Sequence, residues 1–303
     1  MIYRLSILFF LFTSVQPLEK DPFIVILGTV QDAGFPQIGC DKGCCEKYRD
    51  KKIAKQKVSC LALFDPSTNQ KWIFDATPDL PEQLQETDKL QKGDLSGIFL
   101  THAHFGHYTG LMYLGREALN AKEIPVYTMP RMYDYLKNNG PWSQLVSLKN
   151  IQLQKLKADS TIMLTDEILV TPFLVPHRDE FSETIGYGIN VGIKSVLFIP
   201  DIDKWQKWNI DISELVTAYD YVFLDGTFYK DGELPGRNMS EVPHPFIQES
   251  VDLFSSLPLV EKQKIWFIHF NHTNPLLDKT SKEYKEVKSK GFNVAVEGLK
   301  ISL

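Results

Sequence analysis

Residues 101–110 read THAHFGHYTG. Three of the chain's seven histidines, His102, His104 and His107, fall within six positions of this stretch. They follow an apolar run, GIFLT (97–101), and precede TGLMYLGREAL (109–119), whose apolar residues recur at helical spacing. The run predicts a strand and the spacing a helix. His102 and His104 alternate out of the strand, and a turn at Phe105–Gly106 brings His107 back to the same side. Imidazoles held at a rigid strand end pre-order a divalent cation. The competing reading is a solvated His-rich loop or a stack of core histidines. Placement between a strand and a helix favours the cation.

The chain has 303 residues, 43% hydrophobic, enough for one large core. Net charge is −5, with both signs interspersed and no block of five basic residues, which argues against a nucleic-acid partner. Seventeen prolines and eighteen glycines are spread along the chain without a low-complexity linker. The start, MIYRLSILFFLFTSVQPLEK, has one early cation, Arg4, and then an apolar run from Leu5 to Val15. That is the layout of a secretory signal peptide, too short to span a bilayer comfortably. The A-x-A cleavage pattern is absent, and an apolar first strand or uncleaved anchor is the alternative. We read residues 1–20 as a signal peptide and 21–303 as one domain. The expected location is periplasmic or secreted, with no stable membrane span after cleavage, or cytoplasmic if the run is not a signal.

Outward from the histidines, strands and helices alternate. FIVILG (23–28), CLALF (60–64), KWIFD (71–75) and PVYTM (125–129) predict strands. PRMYDYLKNNG (130–140) begins with Pro and ends with Gly, as helices do. Further strands are expected over 167–176, 185–191, 195–200, 221–225 and 264–269, and helices over 244–257 and 282–291. Five strands run directly into a polar residue: Asp75, His102, Asp201, Asp225 and His269. Strand ends on one sheet edge are where α/β folds assemble sites.

His177 also closes an apolar stretch, VTPFLVPHRDE. A lone histidine there is more often structural, but together with Asp201 and His269 it completes a series of ligand types at strand ends. Asp75 is a candidate for orienting a ligand histidine, with helix capping by Thr77 or Asp79 as the plain alternative. His244, between Pro243 and Pro245, suits helix capping or substrate contact better than ligation. Cys40, Cys44 and Cys45 cluster in QIGCDKGCCEK, while Cys60 sits in a strand. Three clustered cysteines and a distant histidine make a structural zinc site, and in an exported chain a disulfide with one thiol left over competes.

These residues resemble the metallo-β-lactamase superfamily: the histidine cluster THAHFGH, then a lone His, an Asp and a His follow the ligand order of that superfamily. PHRDEFSETIGYGI (176–189), IPDIDKW (199–205), LDGTFYKDGELPGRNMSEVPHPF (224–246) and FIHFNHTNP (268–276) are similar to the coenzyme PQQ synthesis protein B family in particular. The resemblance covers roughly 23–303. It implies an α/β fold, an αββα sandwich of two mixed sheets flanked by helices. It also implies that His102, His104 and His177 hold a first metal, that Asp201 bridges, and that His107 and His269 hold a second. A related group, the phosphodiesterases of carbon–phosphorus lyase operons, implies a structural zinc on Cys40, Cys44, Cys45 and His272. That group's spacing is C-x-C-x-x-C, against C-x-x-x-C-C here.

The sequence departs from the superfamily's H-x-H-x-D-H at its aspartate, which is Gly106. The expectation is a second cation short of one carboxylate, so that Gly106→Asp would raise its occupancy. One or two divalent metals follow, zinc first and iron or manganese as alternatives, besides the structural zinc. The leading functional reading is a hydrolase that uses a metal-bound hydroxide, with Asp201, His102, His104 and His177 as its catalytic set. Its substrate would be an ester, phosphoester, lactone or amide, small or peptide-derived. Asp75, Tyr108, Arg178, Asp225 and His244 are expected to support the ligands or touch substrate. Tyr108 or His272 would steady the developing oxyanion. The alternatives are an iron-dependent oxidation, hydroxylating a peptide-derived tyrosine in pyrroloquinoline quinone biosynthesis, and a non-enzymatic carrier of that cofactor.

Overall fold

The computed structural model describes residues 21–50, 52–178 and 180–303; the proposed signal peptide lies outside them. Among the described residues, fourteen strands form two mixed sheets of seven. They are β1 (Phe23–Gly28), β2 (Cys60–Asp65), β3 (Gln70–Phe74), β4 (Asp94–Phe99), β5 (Ile124–Thr128), β6 (Ile151–Lys155) and β7 (Ile162–Met163). The rest are β8 (Ile168–Leu174), β9 (Ile185–Val191), β10 (Lys194–Ile199), β11 (Tyr221–Asp225), β12 (Ile265–Ile268), β13 (Asn293–Val294) and β14 (Lys300–Ser302). The first sheet runs β14-β1-β2-β3-β4-β5-β6 and the second β13-β12-β11-β10-β9-β8-β7. β3 to β6 are parallel, as are β10 to β13, and the remaining pairs are antiparallel.

Period-two alternation sorts each strand's side chains between layers. Ile24 and Ile26 of β1 face the second sheet, whereas Phe23, Val25 and Leu27 face the helices. On β10, Val196 and Phe198 point into the sandwich, and Leu197 and Ile199 point to the opposite helical layer. The middle of the sandwich is aromatic. Phe99 stacks on Phe74 at 5.0 Å and on Tyr127 at 4.3 Å, and Tyr187 meets Phe74 edge-on at 5.2 Å. Such ring geometries add about 0.5–1.5 kcal/mol per pair beyond area burial. The Tyr187 hydroxyl donates to the Leu100 carbonyl at 2.6 Å, tying the sheets together just behind the histidine stretch.

The helix expected over 109–119 is a different element. Phe105–Tyr108 forms one short α-helical turn, and Thr109–Leu114 continues as 3-10 helix. Gly115 then turns extended, which ends it. Gly110 is wedged so closely that a Cβ there would lie 2.0 Å from the Thr77 carbonyl oxygen. The helix expected over 130–140 is present as Pro130–Asn138, and that over 244–257 begins later, at Ile247. The sequence reading missed the helix Leu80–Leu90, the short helix Gly43–Arg49 and the edge strands β6 and β14. Among the described residues, no helix is long and apolar enough to cross a membrane.

Candidate metal centre

The C-terminal ends of the parallel strands of both sheets meet at one place. Asp75 follows β3, the histidine stretch follows β4, and Asp201, Asp225 and His269 come from the ends of β10, β11 and β12. His177 arrives from the end of β8. Asp75 and His269 have positive φ, +71° and +67°, a conformation that non-glycine residues adopt sparingly and that clusters at functional sites.

Asp201 stands at the middle, with 2% of its surface exposed. One carboxylate oxygen, Oδ2, lies 3.3 Å from His102 Nε2, 3.8 Å from His104 Nδ1 and 3.9 Å from His107 Nε2. The other, Oδ1, lies 3.2 Å from His177 Nε2 and 3.1 Å from His244 Nδ1. His104 Nδ1 and His177 Nε2 face each other at 3.3 Å. Single donor atoms of His102, His104, His177 and Asp201 all lie within 4.8 Å of one another, as do those of Asp32, His107 and His269.

The inward-facing atoms are buried and unpartnered. Asp201 Oδ1, Asp32 Oδ1 and the Nε2 atoms of His102, His107 and His269 are out of water without hydrogen-bond geometry to any neighbour. An unpaired buried polar atom costs about 1–3 kcal/mol. Two of them belong to the His102/Asp201 group and three to the Asp32/His107/His269 group, a pattern that bound divalent cations resolve, so the donor sets fit such ions.

The outward-facing nitrogens are, by contrast, held. His107 Nδ1 lies 2.7 Å from Asp75 Oδ2, and His177 Nδ1 lies 3.1 Å from Asp203 Oδ1. Thr101 Oγ1 is 2.9 Å from His102 Nδ1, and Thr227 Oγ1 is 2.9 Å from His269 Nδ1. Such partners fix ring orientation and tautomer behind metal-binding imidazoles. Asp75 thus faces His107 and also accepts from the Thr101 backbone N–H and hydroxyl.

Electrostatics follow the same geometry. Burial pushes the Asp201 carboxyl up, but His177, His244, His102 and His104 outweigh it and hold it well below the carboxylate range. Burial, with His107 alongside, drives His102 well below its ordinary value. Burial opposes charge on His177 too, yet Asp201 and Asp203 lift it to about 9. In His244, burial is overcome by Asp225 and Asp201, which raise it to about 10.

His244 does not cap the helix. Its Nδ1 points at Asp225 Oδ2, 2.8 Å away, while Glu249 accepts the Phe246 N–H at the helix start. Asp225 also accepts from the backbone N–H groups of Ile202 and Thr227. Arg178 is exposed beside His177. Tyr108 turns away from the centre: its hydroxyl bonds Tyr135 at 3.0 Å, and its ring belongs to the core under the helices. Consecutive helical positions differ by about 100°, so His107 and Tyr108 cannot share a face. His272 is also absent from this centre. It lies with the cysteines, its Nδ1 3.5 Å from the sulfurs of both Cys44 and Cys45.

Cys40, Cys44, Cys45 and His272 form a second candidate site, all four donors within 4.8 Å. The cysteines are free, and the sulfurs of Cys40 and Cys44 stand 3.8 Å apart, which is contact rather than a bond. Burial pushes the Cys45 thiol up to about 12 and also raises Cys44. Cys40 is instead drawn below its ordinary value, against burial, by the Lys42 backbone and the neighbouring thiols, and a cation would favour the thiolate of all three.

The residue that sequence reasoning missed is Asp32. It lies in the loop TVQDAGFPQIG after β1, with Oδ1 3.1 Å from His107 Nε2 and 3.9 Å from His269 Nε2. It fills the space beside Gly106: a Cβ at position 106 would come within 2.3 Å of Asp32 Oδ1 and 2.5 Å of its Cα. The expectation that Gly106→Asp would raise metal occupancy is therefore corrected, because the added side chain collides with a carboxylate already in place. The signal available was the missing aspartate itself, paired with an acidic residue just past a strand end.

Comparison with known proteins agrees with this architecture. Residues 63–270 match the family described as Beta-lactamase superfamily domain. Coenzyme PQQ synthesis protein B of Gluconobacter oxydans is 26% identical, the alignment covering 92% of this chain and 98% of that protein. The protein of the same name from Pseudomonas fluorescens is 27% identical, with 93% and 100% covered. Among solved structures, Zn(2+)-bound PqqB from Methylobacterium extorquens aligns with a TM-score of 0.78 at 22% identity, covering 93% of this chain and 100% of that one. A diphosphatase from the PhnP family aligns at 0.64 and 21% identity, with 93% and 97% covered. With a family match across more than half its length and two mixed sheets flanked by helices, the chain belongs to the beta-lactamase superfamily.

Proposed function

We propose that this chain is a metal-dependent hydrolase of an ester, phosphoester, lactone or amide. The observation that carries the reading is a set of five buried, unpartnered donor atoms divided between two adjoining His/Asp groups, each imidazole among them braced from behind. His102, His104 and His177 with Asp201 would hold one cation, with zinc the first candidate and iron or manganese the others. A bound divalent cation of this kind supplies Lewis acidity and brings the pKa of a coordinated water down to about 7.

The chain's own residues do the rest. Asp201 lies within reach of three ring nitrogens on one oxygen and two on the other, which keep it ionised and able to hold a cation. His244 commits Nδ1 to Asp225 and Asp201, which leaves Nε2 to meet the substrate and to carry a proton for a leaving group. Hydrolysis of chromogenic esters and phosphodiesters, with Zn²⁺, Mn²⁺ or Fe²⁺ added back, tests the reading. Turnover that disappears in His102→Ala is expected. No turnover above that variant with any of the three metals would refute it.

The names of the curated relatives favour a second reading, a step in PQQ synthesis. Imidazole and carboxylate ligands suit Fe(II) as well as zinc. Stoichiometric iron in protein purified without oxygen, with O₂ uptake, would favour this reading over hydrolysis, and zinc alone would oppose it.

A further inference from the structure

We infer that Asp32 is the carboxylate ligand of a second cation position, replacing the one absent at residue 106, so that this chain keeps a two-cation centre by drawing one ligand from a different segment. The inference rests on the metal-centre reading above.

Three observations converge on Asp32. Its Oδ1 is buried and unpartnered, and it faces His107 Nε2 and His269 Nε2, which are equally buried and unpartnered. An ion pair with His107 alone would explain only one of those contacts, and His107 already has Asp75 on its Nδ1. The loop holding Asp32 is also fixed by backbone bonds. Gln31 N–H donates to the Phe270 carbonyl at 2.8 Å, and Phe270 N–H donates to the Thr29 carbonyl at 2.8 Å. Val30 bridges Val58 and Phe270. Asp32 is thus registered directly against the segment that carries His269.

The third observation is steric. A Cβ at residue 106 would overlap both the Cα and the carboxylate of Asp32, so the loop can approach only if residue 106 is glycine. Positions 32 and 106 are therefore alternative sources of one carboxylate: filling one excludes the other. Gly106 is then a condition of the site, and the absence of an aspartate there does not mean the loss of a ligand.

The test is cation content and affinity, measured on the full chain by elemental analysis and chelator competition after loading with Mn²⁺ or Zn²⁺. The parent is expected to hold two cations in the histidine centre besides the cysteine-bound one, and to show a spin-coupled Mn²⁺ pair by electron paramagnetic resonance. Asp32→Ala and the nearly isosteric Asp32→Asn should each cost one cation. In either variant, affinity at that position should fall by about 100-fold or more, beyond the 10–100-fold that loss of an outer partner costs. The exchange Asp32→Gly with Gly106→Asp should regain the cation that Asp32→Gly alone loses. Unchanged cation count and affinity in both Asp32→Ala and Asp32→Asn would overturn the inference and leave the hydrolase reading standing. A parent that binds no cation at the histidine centre would overturn both.

Discussion

Nδ1 of His107 lies 2.7 Å from Oδ2 of Asp75, both side chains wholly buried. Asp75 is held at positive φ and is bonded by the Thr101 N–H and hydroxyl, so its position is set by β3 and β4 together. Asp75→Asn should keep the fold but offer His107 an amide in place of a carboxylate. We expect metal affinity to drop about 10–100-fold. Chelator competition measures it, and an affinity equal to the parent's would show that Asp75 does not brace the ligand.

His244 touches two carboxylates through one nitrogen. His244→Asn should lower kcat by about 100- to 10,000-fold, the range for a lost general acid, while the cation count stays at the parent value. Loss of a cation in His244→Asn would instead make His244 a ligand.

The cysteine cluster joins the segment just beyond the Asp32 loop to the one just beyond His269, since Cys40 follows the first and His272 the second. Cys45→Ser should remove one zinc per chain and lower the melting temperature, because a structural zinc contributes its binding energy to folding. A stepwise chelator titration should show this zinc leaving last. Unchanged zinc content in Cys45→Ser would exclude ligation there.

At the seam of the sandwich, Phe99 is fully buried and stacked between Phe74 and Tyr127. Phe99→Ala should cost about 3–5 kcal/mol in denaturant unfolding. A cost under about 1 kcal/mol would mean that the core collapses around the lost ring.

Asp220 offers a pH dependence remote from the metal centre. Burial pushes its carboxyl up, but the Ser195 N–H and hydroxyl and the Lys194 ammonium outweigh burial and bring it below its ordinary value. A depressed folded value means stability that is fully present above the ordinary 3.8 and lost as pH falls through the lowered one. Asp220→Asn should therefore flatten acid unfolding below about pH 4, where the parent loses this contribution. Identical acid transitions in the two proteins would exclude it.

The strands bearing ligand-type residues were legible because each is an apolar run that leads into a polar residue: KWIFD, GIFLT, SVLFIP, YVFLD and KIWFIH all recur as strands within a few residues. The helix Leu80–Leu90 escaped because its sequence, LPEQLQETDKL, has few apolar positions to mark a period. β6 and β14 are edge strands with partly exposed, polar-rich sequences. Asp32 escaped for a different reason. Its loop has no periodicity, and its meaning depends on a contact with Gly106 that exists only after the chain has folded.

The metal centre lies where the two halves of the chain meet. Asp32, Asp75, His102, His104 and His107 come from the part built on the first sheet, and His177, Asp201, Asp225, His244 and His269 from the part built on the second. Among the described residues neither half contains a complete set of donors, so a cation would be captured only when the halves are docked. Its binding energy then acts across that junction, opposing any opening of one half away from the other. A cation at this position would act as a latch between the halves.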